Sequence, residues 1–295
     1  MIKIRIPAST ANLGSGFDSL GIALNLYNYI EIGPSLGCEI SSADGTEIPT
    51  GEDNLVYLSA KKVFEKSGLP FRGLKIIEEN HIPFARGLGS SSACIAGGVF
   101  GANELLGRPF AKNELLDIAA EIEGHPDNVS PAILGGFTVN ATDGKNVRFI
   151  KSEVPENLVF AAFVPPFELK TADARAAMPK EVSVKDSVFN LSRSALFTAS
   201  LISGKFENLK AACDDKLHQP SRLPLISGGK TIIEKSYENG ALAAFISGAG
   251  STMMAIFDCG KEKAEENAKK ILSSGEFDGW KYFILNADNS GTTVL

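Results

Sequence analysis

The sequence predicts an α+β protein built as two domains or as one large one. The chain has 295 residues, and a domain typically holds about 150. Segments with strand-like alternation and segments with helical spacing both occur on either side of residues 151–157, where the composition shifts. We therefore expect an N-terminal domain over residues 1–153 and a C-terminal domain over residues 154–295.

Strands and helices in the first half are predicted from apolar spacing and from the glycines that follow each helical run. The pattern predicts strands at residues 2–9, 20–32 and 74–82, and helices at residues 54–67, 90–106 and 114–123. A hairpin of residues 137–140 and 147–150 is expected around Asp143 and Gly144, because an Asp-Gly pair is typical of a tight turn.

The second half opens with an apolar strand at residues 158–164 that Pro165 and Pro166 close. A long helix is expected at about residues 184–202. The remaining predictions are strands at residues 241–246, 253–257 and 281–286, and a charged amphipathic helix at residues 261–273.

Composition narrows the function classes. The net charge is −6 and the pI is about 5.3, so the sequence lacks the basic surface typical of nucleic-acid binding, and we expect no nucleic-acid partner. No segment reaches the ~20 apolar residues of a membrane span, so we expect no membrane partner either. The four cysteines stand alone, without zinc-site spacing, which is typical of a reduced cytoplasmic protein.

The most informative segment is a glycine-rich loop between a predicted strand and a predicted helix. It comprises Pro83, Phe84, Ala85, Arg86, Gly87, Leu88, Gly89, Ser90, Ser91, Ser92 and Ala93. Its glycines let the backbone approach a ligand, and the first turn of the helix directs free N–H groups and a positive dipole toward an anion. The loop lacks the lysine of a P-loop and the third glycine of a dinucleotide-binding loop. A purely structural turn before a tightly packed helix is the alternative.

Three separated motifs resemble those of the GHMP small-molecule kinases and follow in the same order. They are PASTANLGSGFD at residues 7–18, PFARGLGSSSA at residues 83–93 and SGAGST at residues 247–252. The resemblance implies a kinase fold with an N-terminal ribosomal-S5-like domain and a C-terminal ferredoxin-like domain, and it spans nearly the whole chain.

Within that superfamily the chain is similar to the homoserine kinases. The discriminating segment is EGHPDNVSP at residues 123–131, supported by TADAR at residues 171–175 and HQPSR at residues 218–222. Ser251 stands where many members have proline, and Ser221 where many have tyrosine. Both departures could alter loop rigidity or pocket packing, but neither removes a charge that the chemistry needs.

The resemblance implies ATP-dependent phosphorylation of the side-chain hydroxyl of L-homoserine in threonine biosynthesis, with ATP and Mg²⁺ as cofactors, and it allows a homodimer. The alternative is another kinase of the superfamily, acting on a mevalonate-type, sugar or cytidyl-type alcohol. A non-catalytic binding protein is disfavoured because the glycine loop and its carboxylate are present. A serine hydrolase is disfavoured because no GxSxG motif occurs.

The resemblance also implies roles for individual residues. The loop at residues 83–93 binds ATP, and Ser91 and Glu123 hold Mg²⁺ through hard oxygen ligands. Catalytic roles fall to Glu123, Asp127 and Asn128. Asp127 is a candidate general base, or it orients His125 or an arginine.

The substrate-binding residues implied by the resemblance match the three charged or polar groups of homoserine. Guanidinium groups suit its carboxylate, and a carboxylate suits its ammonium. The implied set is Asn12, Asp18, His125, Asn128, Thr171, Arg175, Arg222, Gly248 and Gly250.

Overall fold

The computed structural model describes residues 1–144, 146–273 and 275–295. Its strands are β1 (Ile2–Ala11), β2 (Leu20–Pro34), β3 (Gly37–Ser42), β4 (Gly73–Glu79), β5 (Phe137–Thr142), β6 (Val147–Ser152), β7 (Leu158–Val164), β8 (Ala243–Ile246), β9 (Met253–Asp258), β10 (Lys281–Leu285) and β11 (Thr293–Val294). Its helices are α1 (Leu55–Ser67), α2 (Ser90–Leu105), α3 (Lys112–Glu123), α4 (Pro126–Leu134), α5 (Thr171–Ala176), α6 (Val184–Ser203), α7 (Leu209–Ala212), α8 (Gln219–Arg222), α9 (Gly229–Glu238) and α10 (Lys261–Leu272).

The first sheet has seven strands, with the order β11-β1-β2-β4-β3 and with β5 and β6 attached to the beginning of β2. β2 is long enough to pair with β5 through residues 20–22 and with β4 through residues 29–34. β3 and β4 are parallel, and the other pairs in this sheet are antiparallel.

Helix α2 packs closely against the first sheet at two glycines. A Cβ atom at Gly97 would lie 2.2 Å from Cδ1 of Ile30, and one at Gly101 would lie 2.5 Å from Cγ2 of Ile32. These glycines remove the side chains that would otherwise separate helix from strand. The close packing fixes the beginning of α2, and with it the glycine-rich loop.

The second sheet is antiparallel, in the order β10-β7-β9-β8, and helices α9 and α10 contribute to its separate core. β7 is buried along its whole length, because its two faces lie in different cores. Two sheets with two helix-covered cores confirm the predicted α+β class.

Two later segments of the chain pack against the first half. β11 pairs with β1, with Val294 opposite Ile4, and Phe197 and Leu201 of α6 lie in the first core. The two halves of the chain therefore share one core.

The predicted helix ends are largely correct. Asn54 caps α1 by accepting hydrogen bonds from two backbone N–H groups, and Gly68 ends that helix with a left-handed φ of 71°. Gly124 ends α3 in the same way, with φ at 88°. The elements that were not predicted from the sequence include β3, β11, α4, α7, α8 and α9. Among the described residues, no helix is long and apolar enough to cross a membrane.

Candidate active site

A cleft opens where the two halves meet. Its walls come from the loop after β1, the glycine-rich loop before α2, helices α4, α5 and α8, and the loop between β8 and β9. The lining residues are Asn12, Phe17, Asp18, Ala85, Arg86, Gly87, Gly89, Ser90, Ser91, Ser92, Glu123, His125, Asp127, Asn128, Thr171, Arg175, Arg222, Gly248 and Ala249. A more voluminous groove along α3 contains none of the predicted site residues.

Five of the predicted site residues lie outside this lining. They are Pro83, Phe84, Leu88, Ala93 and Gly250. Leu88 and Ala93 are fully buried in the first core. A Cβ atom at Gly250 would meet the side chains of Ile226 and Leu169, so this glycine faces the packing between the loops. These three positions shape the walls of the cleft.

The three glycine-rich motifs interlock through close backbone contacts. A Cβ atom at Gly87 would lie 2.2 Å from the carbonyl oxygen of Ser247, and one at Gly89 would lie 2.0 Å from Oγ of Ser9. The Ser247 hydroxyl donates to the carbonyl oxygen of Gly87 at 2.6 Å. Both loop glycines have left-handed φ angles, of 75° and 72°. Glycine is therefore required at both positions for packing as well as for conformation.

The beginning of α2 has the features of an anion site. The helix is 16 residues long, so its N-terminal N–H groups and dipole favour a negative charge. Ser90 lies there and is only 7% exposed, and its hydroxyl has no hydrogen-bond partner among the described residues. A buried hydroxyl without a partner is costly, and a phosphate oxygen would supply one.

Glu123, the last residue of α3, faces the two serines that follow Ser90. Ser91 Oγ donates to Glu123 Oε2 at 2.9 Å, and Ser92 Oγ donates to Glu123 Oε1 at 3.2 Å. A carboxylate with hydroxyl oxygens at the edge of an anion cradle is a hard-oxygen donor set that fits Mg²⁺. Ser91 is exposed, which leaves room for the waters that Mg²⁺ retains.

An ion pair in the same cleft joins the two halves. Arg175 of α5 donates to both carboxylate oxygens of Asp18, at 2.8 and 3.1 Å. The guanidinium also lies over the ring of Phe17, 5.5 Å from its centroid. Both charged side chains are partly exposed, so a charged ligand can compete with each partner.

Arg222 is the second arginine, and it is only 2% exposed. Its Nε donates to the carbonyl oxygen of Ala174 at 3.2 Å, and its Nη1 donates to that of Gly248 at 3.3 Å. Burial lowers the pKa of Arg222 from its usual value, and the neighbouring Arg175 lowers it further. The two guanidinium groups share the Phe17 ring, with Arg222 5.1 Å from the centroid.

Phe17 and His218 are site residues that the sequence did not reveal. His218 is fully buried, stacks on Phe17, and donates through Nε2 to the carbonyl oxygen of Gly14 at 2.7 Å. Its Nδ1 lies 3.4 Å from Nη1 of Arg222 and accepts from it. Burial lowers the pKa of His218, so its neutral form joins the first motif to Arg222. Phe17 lies in the motif at residues 7–18 and His218 in the motif at residues 218–222. That position is the only sequence signal that could have identified them.

His125 and Asp127 form a second polar pair at the beginning of α4. The Nδ1 atom of His125 lies 2.6 Å from Oδ1 of Asp127, which is 2% exposed. Burial lowers the pKa of His125, but the hydrogen bond and charge of Asp127 outweigh it, and the pKa is raised above 6.5. Ligand atoms of Asp18, His125 and Asp127 lie within 4.8 Å of one another, so this corner of the cleft favours a cation.

Two asparagines hold the walls of the cleft together. Asn12, with a left-handed φ of 69°, donates to the carbonyl oxygen of Gly248 at 2.8 Å and accepts from the backbone N–H of Asp18. Asn128 accepts from the Ser9 hydroxyl at 2.9 Å. Asn12 therefore fixes the position of Asp18. Asn128 is hydrogen-bonded to Ser9, and the Ser9 hydroxyl packs against Gly89.

Comparison with known proteins agrees with this geometry. The GHMP kinases N terminal domain model matches residues 54–136, and the GHMP kinases C terminal model matches residues 197–275. The two-sheet fold, the anion cradle and these two matches define a GHMP kinase.

Curated relatives narrow the family further. Homoserine kinase of Clostridium beijerinckii is 46% identical over 300 residues, covering 100% of this chain and 99% of the relative. That of Caldicellulosiruptor bescii is also 46% identical, covering 100% and 97%. The chain therefore belongs to the homoserine kinase family.

Solved structures give the same result. The crystal structure of homoserine kinase from Cytophaga hutchinsonii has a TM-score of 0.88 at 28% identity, covering 100% of this chain and 97% of that one. A putative homoserine kinase from Listeria monocytogenes has a TM-score of 0.83 at 31% identity, with coverage of 100% and 99%. A mevalonate kinase structure, at 17% identity, shares the fold.

Proposed function

We propose that this chain transfers the terminal phosphoryl group of ATP to the side-chain hydroxyl of L-homoserine, giving O-phospho-L-homoserine for threonine biosynthesis. One observation carries the substrate assignment. The Asp18–Arg175 pair and the buried Arg222 line the same cleft as the anion cradle at the beginning of α2. An α-amino acid carries one negative and one positive charge, and can take the place of each partner in that pair.

The amino acid would bind by exchange of charged groups. Its ammonium replaces the Arg175 guanidinium beside Asp18, in the corner that Asp127 also makes favourable for a cation. Its carboxylate then lies between the guanidinium groups of Arg175 and Arg222, which bind planar carboxylates well. Arg222 is already held by two backbone carbonyls, so little side-chain entropy is lost when it binds the substrate.

The phosphates would bind at the beginning of α2. The backbone at residues 87–92 and the Ser90 hydroxyl, which has no hydrogen-bond partner in the described part of the chain, would bind phosphate oxygens, and Ser91 and Glu123 would hold Mg²⁺. When bound, the ion neutralises charge on the transferred group. The chain's own contribution is to bring the homoserine hydroxyl in line with the terminal phosphate and to exclude water around it.

The His125–Asp127 pair favours a positioning role for Asp127 over a role as a strong base. Asp127 already accepts a short hydrogen bond from His125, so it orients the imidazole toward the substrate. Phosphoryl transfer needs positioning and charge stabilisation rather than strong proton abstraction, and the hydroxyl proton leaves late in such a reaction.

The domain boundary at residues 153/154, the cytoplasmic location and the homodimer stay predictions.

A panel of alcohols tests the substrate assignment. ADP release would be followed by a coupled assay with Mg-ATP and L-homoserine, mevalonate, a hexose or a cytidyl alcohol. We expect turnover to be much faster with L-homoserine than with the others. Faster turnover with an alcohol that carries no ammonium would overturn the proposal.

A further inference from the structure

Arg86 lies in the glycine-rich loop, but its side chain binds to the second half of the chain. Its Nε donates to the carbonyl oxygen of Pro165 at 3.3 Å, and its Nη2 donates to that of Pro166 at 3.1 Å. Its Nη1 donates to the carbonyl oxygen of Phe84 at 3.2 Å and lies 3.3 Å from Oε1 of Glu168. Each of the three guanidinium nitrogens therefore has an acceptor within the protein.

These acceptors argue against a phosphate contact by the Arg86 side chain. An arginine that binds phosphate presents a pair of free N–H groups to it, whereas this side chain is 16% exposed and its nitrogens are already engaged. Pro165 and Pro166 follow the end of β7, where sheet pairing no longer supplies donors to their carbonyl oxygens. The guanidinium supplies these donors instead.

The segment at residues 165–170 is attached to two of the loops that line the cleft. The backbone N–H of Leu169 donates to the carbonyl oxygen of Ala85, in the glycine-rich loop, at 3.3 Å. The hydroxyl of Ser251, in the loop between β8 and β9, donates to the carbonyl oxygen of Phe167 at 2.9 Å. We refer to residues 165–170 as the linking segment, and it leads directly into α5.

Helix α5 depends on the linking segment for its position. It has six residues, and Ala174 is the one buried residue among them. Six residues with so little buried surface do not form a stable helix by themselves. Arg175 extends from α5 to Asp18, and the Ala174 carbonyl oxygen accepts from Arg222. Fixing the linking segment therefore also fixes Arg175 in the cleft.

We propose that Arg86 is a positioning residue that couples nucleotide binding to amino-acid binding. The inference rests on the proposed function, because that function supplies both ligands. Phosphates bound by the backbone at residues 87–92 restrain the neighbouring Arg86, and through it the linking segment and α5. The amino acid then binds to a site that is already ordered, and its binding costs less conformational entropy. Such a coupling is reciprocal and typically changes an affinity by about 5- to 150-fold.

Calorimetry with Mg-ADP measures the coupling without turnover. L-Homoserine would be titrated into the enzyme alone and into the enzyme saturated with Mg-ADP. Because ADP lacks the phosphoryl group that is transferred to the homoserine hydroxyl, a change in affinity reports a change in the protein. We expect Mg-ADP to lower the Kd for L-homoserine at least about fivefold in the wild type. Absence of L-homoserine binding in both titrations would overturn the proposed function and the coupling with it, whereas equal binding in both would overturn the coupling alone.

Two substitutions separate the contacts that Arg86 makes. Arg86→Lys keeps a positive charge beside Glu168 but loses the planar fork that reaches both proline carbonyls. Glu168→Gln removes the ion pair, in which the carboxylate is exposed, and leaves the fork in place. We expect the effect of Mg-ADP on the Kd to fall below about twofold in Arg86→Lys and to stay at the wild-type level in Glu168→Gln. A full effect in Arg86→Lys, or its loss in Glu168→Gln, would overturn the proposal.

Nucleotide affinity and local order distinguish positioning from a phosphate contact and from general damage. Arg148→Lys is the matched control, because the Arg148 side chain is 74% exposed on β6. Arg86→Lys should bind Mg-ADP alone as well as this control does, and a Kd raised about tenfold or more would indicate a direct phosphate contact and overturn the proposal. Hydrogen exchange in residues 171–176 should slow on addition of Mg-ADP in Arg148→Lys but not in Arg86→Lys. Equal slowing in both variants would exclude the positioning role.

Discussion

Replacing Gly89 with alanine tests whether the glycine-rich loop serves the chemistry or only the fold. Gly89 precedes α2 with φ at 72°, and an added Cβ atom would lie 2.0 Å from Oγ of Ser9. Gly107, after the end of α2, has φ at 78° and open space around its Cβ position. Gly107→Ala is therefore a matched control for the backbone strain.

Both substitutions add backbone strain, but only one of them also displaces a neighbouring side chain. A left-handed φ costs a non-glycine residue about 1–2 kcal/mol, so both variants should lose similar stability from strain. Only Gly89→Ala displaces the Ser9 hydroxyl, which donates to Asn128 at 2.9 Å. A hydrogen bond is worth about 0.5–1.5 kcal/mol, or about 2- to 13-fold in rate. Movement of the phosphate cradle adds to this, so we expect a loss of about tenfold or more in kcat/KM.

Steady-state kinetics and thermal unfolding measure both effects. Gly107→Ala should keep kcat/KM within about twofold of the wild type and keep the rise in Tm given by saturating Mg-ATP, which follows RT ln(1 + [L]/Kd). Gly89→Ala should lose most of that rise while remaining folded. If Gly89→Ala keeps the full nucleotide-dependent rise, the loop does not bind the phosphates.

Three further predictions follow from the same geometry. Arg175→Ala should raise the KM for homoserine about 10- to 150-fold, the cost of one charge-assisted contact, and leave the KM for ATP nearly unchanged; equal changes in both would contradict the carboxylate role. Glu123→Gln should lower turnover by orders of magnitude and raise the Mg²⁺ requirement, whereas Glu121→Gln, on the exposed side of the same helix, should do neither. The pKa of His125, measured by NMR, should lie above 6.5 and should fall in Asp127→Asn. The stability that protonated His125 contributes should be complete below pH 6.5 and be lost as the pH rises through the higher folded-state pKa. An unchanged pKa in Asp127→Asn would refute the pairing.

Local signals predicted most of the elements. The segment at residues 54–67 was predicted as a helix because apolar spacing, an asparagine cap and Gly68 all agree, and the structure has α1 there. The strand at residues 158–164 coincides with β7, because an apolar run bounded by prolines has few alternatives. Such features depend on neighbours in sequence.

Non-local features could not be predicted in this way. The two-residue strand β11 exists only because β1 offers it an edge, and no periodicity marks so short a segment. α4 was missed because Pro131 lies inside it. In the site, the motifs located Asp18, Arg175 and Arg222, but the salt bridge between the first two depends on packing of the two halves.

The preference for an amino acid over its truncated analogues tests the central claim most directly. We would measure kcat/KM for L-homoserine, for 3-aminopropan-1-ol, which lacks the carboxylate, and for 4-hydroxybutyrate, which lacks the ammonium. The account predicts that each truncated alcohol is used at least about tenfold less well, because removing either charge leaves a buried or paired group in the cleft without its partner. Comparable kcat/KM values for all three would contradict recognition of both charges by Asp18, Arg175 and Arg222.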